Sequence, residues 1–383
     1  MAPLSNNANN ADAQSTLTPI VVEPISPMTV AAMSAHAASV AQQHHVQLSV
    51  AATGKTLGVI VQSAPTHISR VDRGQTSEVL DHVALEEPLE IRLDWLDGVE
   101  RQRKSISITM RTPGNDNELA AGFLFSEGVV RSPADIESIV GCGPEHGTHG
   151  GQNIVKVRLA DHAKVEWPKL QRHFYATSSC GVCGKASLDA LEVPGMRAIT
   201  GDGFQIDSRL ICALQDKVRA RQSVFDQTGG LHAAALFNAA GELLALREDV
   251  GRHNAVDKLL GAQFLAGSAP LSRHLLFLSG RASFELVQKA LVAGVPMIVA
   301  VGAPSSLAVE LAKRFNISLV GFARGERFNI YHGALRVSAT QRAAIKVDAA
   351  INPQHMIQTL AENKTHAMNQ HSIKSAIRAK IKQ

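Results

Sequence analysis

The second half of the sequence predicts an α/β fold with a parallel sheet, preceded by a smaller α+β module. Three observations predict it. Residues 275–278, 297–301 and 318–322 are almost wholly apolar runs of strand length, as expected of strands covered on both faces. Residues 284–293 and 307–315 lie between those runs and have helical length and pattern. Strands and helices that alternate in this way form right-handed βαβ units.

Taken in order, residues 1–57 are rich in Ala, Ser, Asn, Gln and His. Such a segment buries too little apolar surface to offset its ordering entropy, so a disordered extension is expected. The α+β module is expected over 58–174. Residues 89–93 and 105–110 alternate as strands do, and 117–126 (NELAAGFLFS) reads as a short helix. Pro133 is expected to open a further helix over 133–139. The glycines of 141–151 read as a loop, the His/Gly-rich part from 143 to 151 as an insertion.

The α/β domain is expected over 175–350. Ser208 is placed as the N-cap of a helix running to about residue 221. Residues 232–237 and 242–246 flank 238–241 as a β-hairpin. A helix over 252–264 leads into the βαβ series. Residues 351–383 form a polar tail that ends in a basic run.

Strands of one parallel sheet end on the same side. The segments Ser279-Gly280-Arg281, Gly302-Ala303-Pro304-Ser305 and Ala323-Arg324-Gly325-Glu326-Arg327 should therefore gather at its carboxyl edge, where open α/β sheets bind ligands. The first two lead into helix N-termini, which favour phosphate. Arg281, Arg324 and Arg327 add planar cationic donors. The ligand this implies is anionic and nucleotide-like; the plainer reading is a set of ordinary turns with solvated arginines. Two polar stretches flank the hairpin, residues 229–232 (GGLH) and 248–254 (EDVGRHN). Glu248/Arg252, Asp249/His253 and His253/Asp257 have the spacing to pair along a helix. A carboxylate-held His253 could relay a proton or contact a cofactor, and helix capping is the plainer alternative.

The sharpest chemical feature is TSSCGVCG at 177–184, which places Cys180 and Cys183 in a glycine-flanked C-x-x-C. Two thiols at this spacing can depress one another's pKa, and a thiolate can hold sulfur as a persulfide. Spacing alone also admits redox exchange or a structural zinc. Zinc usually takes two such pairs, whereas the other cysteines, Cys142 and Cys212, are isolated. A zinc-stabilised binding chaperone is therefore the alternative reading, and no metal ligand set is assigned.

Composition narrows the classes. Of 383 residues, 45% are hydrophobic and only 4% aromatic, so the core must be aliphatic. A net charge of +4 without a concentrated basic stripe argues against a nucleic-acid partner. Four cysteines in so long a chain do not make a disulfide framework. No uninterrupted apolar stretch reaches the roughly 18 residues of a membrane span, and no secretory signal is visible. A cytoplasmic protein without a membrane partner is expected.

Several runs together resemble the FdhD family of formate dehydrogenase accessory sulfurtransferases. They are TSSCGVCG, GGLHAAALF, EDVGRHNAVDKLLG, SGRASFELVQKALVAGVPMIVAVGAPSSLAVELA, GFARGERFNIY and, upstream, RTPGNDNELAAGFLFSEG. The resemblance implies a homodimer with a cytidine-deaminase-like C-terminal domain. It implies that persulfide sulfur passes from a cysteine desulfurase to the Mo-bis(molybdopterin guanine dinucleotide) cofactor, carried as cargo for a formate dehydrogenase client. Tungsten is an alternative metal in that cargo. Cys180 matches the persulfide-carrying cysteine and Cys183 its partner. Phe322, Ala323, Arg324, Gly325, Glu326 and Arg327 match the cofactor-binding segment, to which the sheet-edge reading adds Arg281 and the carboxylate-held-histidine reading adds His253. Zinc-dependent deaminases place H-x-E upstream of P-C-x-x-C. No H-x-E precedes Cys180 here, and Ser179 stands where that proline would be. Deamination is not expected.

Overall fold

The first long element is a β-hairpin, in which β1 (Ser63–Asp72) and β2 (Gln75–Ala84) pair from Ser63↔Ala84 to Asp72↔Gln75. The computed structural model describes residues 47–48, 59–146, 151–165, 196–201 and 203–338. The α+β module follows the hairpin as β3 (Glu87–Asp97), β4 (Glu100–Arg111), α1 (Asp116–Ser126), β5 (Ile136–His146) and β6 (Gly151–Leu159). Its four-stranded sheet has the order β4-β3-β6-β5, parallel only between β3 and β6. Leu89, Ile91, Leu93 and Trp95 on β3 are buried; their spacing of two puts them on one face of the sheet.

Two expectations for this module are corrected. Pro133 opens only a single 3-10 turn, Pro133–Asp135, rather than a helix to residue 139. Ser132 closes the turn with a reciprocal cap to Asp135. From Ile136 onward, the β-branched Ile136, Ile139 and Val140 pair with Leu159, Val157 and Lys156 of β6, and such residues fit a pleated surface better than a helix. The expected loop over 141–151 is likewise largely strand. A register shift between Cys142 and Glu145, with Gly143 at φ 97, takes up one extra residue as a bulge.

The α/β region runs α2 (Ser208–Arg219), α3 (Ser223–Thr228), β7 (His232–Asn238), β8 (Leu243–Asp249), α4 (Arg252–Leu265), β9 (His274–Leu278), α5 (Phe284–Val292), β10 (Met297–Ala300), α6 (Ser306–Arg314), β11 (Ser318–Arg324) and β12 (Arg327–His332). The N-cap of α2 is Asp207, whose Oδ1 accepts the Arg209 N–H at 2.8 Å. Ser208, expected as the cap, is the first helical residue. The sheet order is β8-β7-β9-β10-β11-β12. Its central β9, β10 and β11 are parallel and the flanking pairs antiparallel. The hairpin followed by βαβαβ is thus present, in a mixed α/β protein with several sheets.

Alternate residues of the six-stranded sheet enter two cores. Ala235, Phe237, Phe277 and Val299 pack against Ile211, Leu214 and Val218 of α2. Leu236, Leu276, Ile298 and Leu319 face the other way, into a core shared by α4, α5, α6, α1 and the four-stranded sheet. The boundary expected at 174/175 lies outside the described residues, and the described parts on either side of it share this core. Helices α1 and α4 meet backbone to backbone. A Cβ on Gly122 would lie 1.8 Å from the Asp257 carbonyl oxygen, and one on Gly261 1.8 Å from that of Glu118. The remainder of the expected N-terminal extension, beyond the pairing of Gln47–Leu48 with Val59–Ile60, lies outside the described residues, as does the tail 351–383.

Candidate functional site

Because β9, β10 and β11 run parallel, their carboxyl ends bring the segments after them together. Gly302 N–H donates to Gly280 O at 2.9 Å, and Phe322 N–H to Gly302 O at 3.1 Å. Ala282 N–H reaches Ala303 O at 3.2 Å and Ser305 N–H reaches Ala282 O at 3.0 Å. The fit depends on small residues. A Cβ on Gly302 would lie 3.0 Å from Gly280 O, and one on Gly321 2.9 Å from Pro304 Cδ. The three predicted segments thus form one hydrogen-bonded rim.

Arg281, Arg324 and Arg327 are exposed on this rim. Arg324 Nε donates to Val301 O at 3.3 Å; among the described residues none of the three arginines makes an ion pair. Phe322 stands at φ 54 and is 42% exposed. Ala323 is buried in the α2-side core, while Gly325, at φ 55, and Glu326 form the exposed tip between β11 and β12. The two helix N-termini are less open than expected. At α6 the Ser305 hydroxyl already accepts the Ala308 N–H at 3.2 Å. At α5 the cap Ser283 makes no such bond to its helix, but its Oγ lies 3.3 Å from His253 Nε2.

The pairings expected along α4 are replaced by longer-range ones. His253 Nε2 pairs with Glu285 Oε2 of α5 at 2.9 Å. The hydrogen bond from His253 holds the Glu285 carboxyl below the ordinary carboxylate range, against the opposing effect of burial. Asp249 accepts from Lys258 at 2.8 Å, with both side chains fully buried. Asp257 pairs with Lys289 at 2.9 Å. Glu248 accepts from Gln222 Nε2 at 3.3 Å and from Phe225 N–H at 3.2 Å, and burial pushes its carboxyl up. Tertiary packing brings Glu248, Asp249, His253 and Asp257 partners that helical spacing could not reveal, while the buried Arg252 Nε finds no hydrogen-bond partner among the described residues.

A cavity of about 330 Å³ adjoins the rim, lined by Gln215, Gln222, Phe225, His232, Ser279 and Val301 among others. Apart from His232 and Ser279, which belong to stretches already marked as polar or sheet-edge, these residues carried no sequence signal of a site. His232 is held below the usual histidine range by burial and then by the charge of Arg252. Cys180 and Cys183 lie outside the described residues. Cys142 lies on β5 opposite Ile154. Cys212 lies on α2, its thiol pushed up by burial and by the Glu326 carboxylate. No described helix is long and apolar enough to cross a membrane.

Comparison with known proteins places the chain in a family. Residues 84–338 match the FdhD/NarQ family. A sulfur carrier protein FdhD from Streptomyces avermitilis is 49% identical over 279 residues, 72% of this chain and 96% of the relative. One from Mycobacterium tuberculosis is 48% identical over 260 residues, 67% of this chain and 91% of the relative. The crystal structure of a protein described as a formate dehydrogenase accessory protein from Desulfotalea psychrophila superposes with a TM-score of 0.54 at 26% identity. That match covers 73% of this chain and 100% of the other.

Proposed function

Since the chain belongs to the FdhD/NarQ family, we propose that it is a sulfur carrier that serves a formate dehydrogenase, with Cys180 as its persulfide site. The Cys180 thiolate attacks the outer sulfur of a cysteine desulfurase persulfide. The donor's S–S bond breaks, a new one forms on Cys180, and the donor cysteine leaves as thiolate, so no net electrons move. The Mo-bis(molybdopterin guanine dinucleotide) cofactor is the cargo, held at the carboxyl edge by Arg281, Arg324 and Arg327, with the 322–327 hairpin against it and His253 at the start of α4. To release the sulfur as hydrosulfide, Cys183 attacks the inner sulfur of the persulfide. Both electrons then come from the two thiols, which become a disulfide that a dithiol reductant reopens.

The observation that carries this reading is the rim, where segments from three strands converge with their arginines exposed and unengaged by any carboxylate of the described residues. A ligand with several anionic groups suits such an edge. The family also supports a cytidine-deaminase-like arrangement of the α/β region and a homodimer working in the cytoplasm. The test is mass spectrometry of the protein after incubation with a charged desulfurase. Wild type should gain one sulfur on Cys180, and Cys180→Ala should gain none at this position while still binding the cofactor. A charged desulfurase that leaves Cys180 unmodified would overturn the proposal.

A further inference from the structure

A second cavity, of about 280 Å³, lies under α4 and α5, with α1 and the β3–β4 pair as its other walls. His253 and Glu285 line it, and together they join the start of α4 to the start of α5. Ser283, two residues beyond Arg281, is the third member of this contact, its Oγ 3.3 Å from His253 Nε2. The pair therefore stands where the cavity meets the rim. His253 Nε2 is committed to Glu285 Oε2 at 2.9 Å. Its Nδ1 has no partner among the described residues and remains accessible to solvent. A ring held by one nitrogen and open at the other is arranged to pass a proton.

The surrounding charges decide which carboxylate serves the ring. Asp257 of α4 and Glu127 at the end of α1 share Lys289 of α5, at 2.9 and 3.6 Å. Asp249 at the end of β8 is taken by Lys258 at 2.8 Å, and β4 brings only the uncharged Ser107 and Thr109 to the cavity. Glu285 is left for His253, and the hydrogen bond from His253 holds its carboxyl low, so it stands ionised beside the ring. His232, at the start of β7, differs. Burial first, and the charge of Arg252 second, hold it below the usual histidine range. Of the two histidines beside the rim, His253 is the one with a counter-charge ready for an imidazolium.

On the reading given above, hydrosulfide released from the cysteine pair is delivered to the metal of the cargo. Where sulfur takes the place of an oxygen ligand, the metal–oxygen bond breaks, a metal–sulfur bond forms, and no electrons change hands. Hydrosulfide brings one of the two protons the oxygen needs to leave as water, and the other needs a general acid. We propose that His253, as imidazolium, supplies this second proton from Nδ1, with Glu285 as the positioning residue that holds the ring through Nε2. The inference rests on the sulfur-carrier reading and adds to it the acid for the delivery step. The cavity has the room and the polar lining for water to return a proton to the ring.

The test is single-turnover sulfur delivery from full-length protein charged on Cys180 to unsulfurated cofactor. The cofactor is kept saturating, so that binding does not limit the rate, and its oxygen-to-sulfur mass change is read after extraction. Wild type should slow as pH rises through the histidine range, about 6 to 8. His253→Gln should lose roughly 100-fold at the acid end, the contribution of one general acid, and with it the pH dependence. Glu285→Gln should slow delivery about tenfold, as for one lost charge-assisted hydrogen bond. Its decline should also move to lower pH, because the imidazolium has lost its counter-charge. Glu285→Asp keeps the charge and should restore the wild-type profile at an intermediate rate, which decides the matter if the Gln variant misfolds. A contact that only braces α4 against α5 would lower the melting temperature and leave the profile in place. Delivery by His253→Gln at the wild-type rate overturns the proton donor. An unmoved profile in a folded Glu285→Gln, or a profile in Glu285→Asp that is displaced from wild type, overturns the positioning role. If charged wild type binds GDP, the nucleotide part of the cargo, yet delivers no sulfur at any pH, the sulfur-carrier reading itself fails.

Discussion

Where α1 crosses α4, Lys258 and Lys289 are buried, each against a carboxylate: Asp249 at 2.8 Å and Asp257 at 2.9 Å. At the carboxyl edge of the six-stranded sheet, Arg281 and Arg327 are exposed, and no ion pair among the described residues engages them. The junction has also satisfied its remaining polar groups. Asp249 takes the Thr112 and Gly251 N–H groups, Lys258 donates to Thr112 O at 2.7 Å, and Asn254 bridges Met110 and Thr109. Burial opposes the charge of Lys289, but Asp257 and Glu127 outweigh it and hold its pKa up. The difference separates charge that maintains the fold from charge that awaits a ligand. A buried ion must be paired where it stands, whereas an exposed arginine without a carboxylate keeps its donors for something else.

The largest effect should come from breaking the junction. Lys258→Met leaves Asp249 buried and uncompensated, which should cost about 3–5 kcal/mol, read from the urea midpoint. Asp249→Asn combined with Lys258→Met should recover a substantial part, because the stranded charge is gone. If the single variant lost less than about 1 kcal/mol, the junction would not be the structural half of the contrast.

The edge should respond in the opposite sense. Arg327→Ala should leave stability within about 0.5 kcal/mol of wild type, as surface changes do. The same change should weaken GDP binding roughly tenfold by calorimetry, the equivalent of one lost charge-assisted hydrogen bond. Unfolding at lower urea with unchanged GDP binding would reverse the roles assigned to the two regions.

The smallest expected effect lies outside both. At the start of α2, Asp207 is lowered to about 2 by hydrogen bonds from the Arg209 side chain and backbone. A depressed carboxyl contributes stability that is present above its unfolded value, near 4, and lost as pH falls through its folded value. Wild type should therefore lose stability more steeply than Asp207→Asn between about pH 4 and pH 2. Parallel acid titrations would show that this cap contributes nothing measurable.

Sequence made the α/β half legible because its strands are covered on both faces. Residues 275–278, 297–301 and 318–322 are almost wholly apolar, and the structure places β9, β10 and β11 there. The rim followed from that topology, since parallel strands have a common end. Pro133 misled because local preference favours a helix start, while the next residues were already committed to pairing with β6. The partners of Asp249, His253 and Asp257 were misjudged for a related reason. Helical spacing describes one helix in isolation, and the groups that answered came from α5 and from further along α4. Gln215 and Gln222 were silent in sequence, because a glutamine within a helix or at its cap looks the same whether it faces water or a cavity.

Phe322 gives the rim a different kind of significance. A non-glycine residue in the left-handed region at φ 54 gives up on the order of 1–2 kcal/mol, here in a residue that is 42% exposed. Phe322→Gly would relax that backbone, so a screen for heat-resistant variants would tend to select it. Such a screen would be choosing against whatever the aromatic ring is held out to meet.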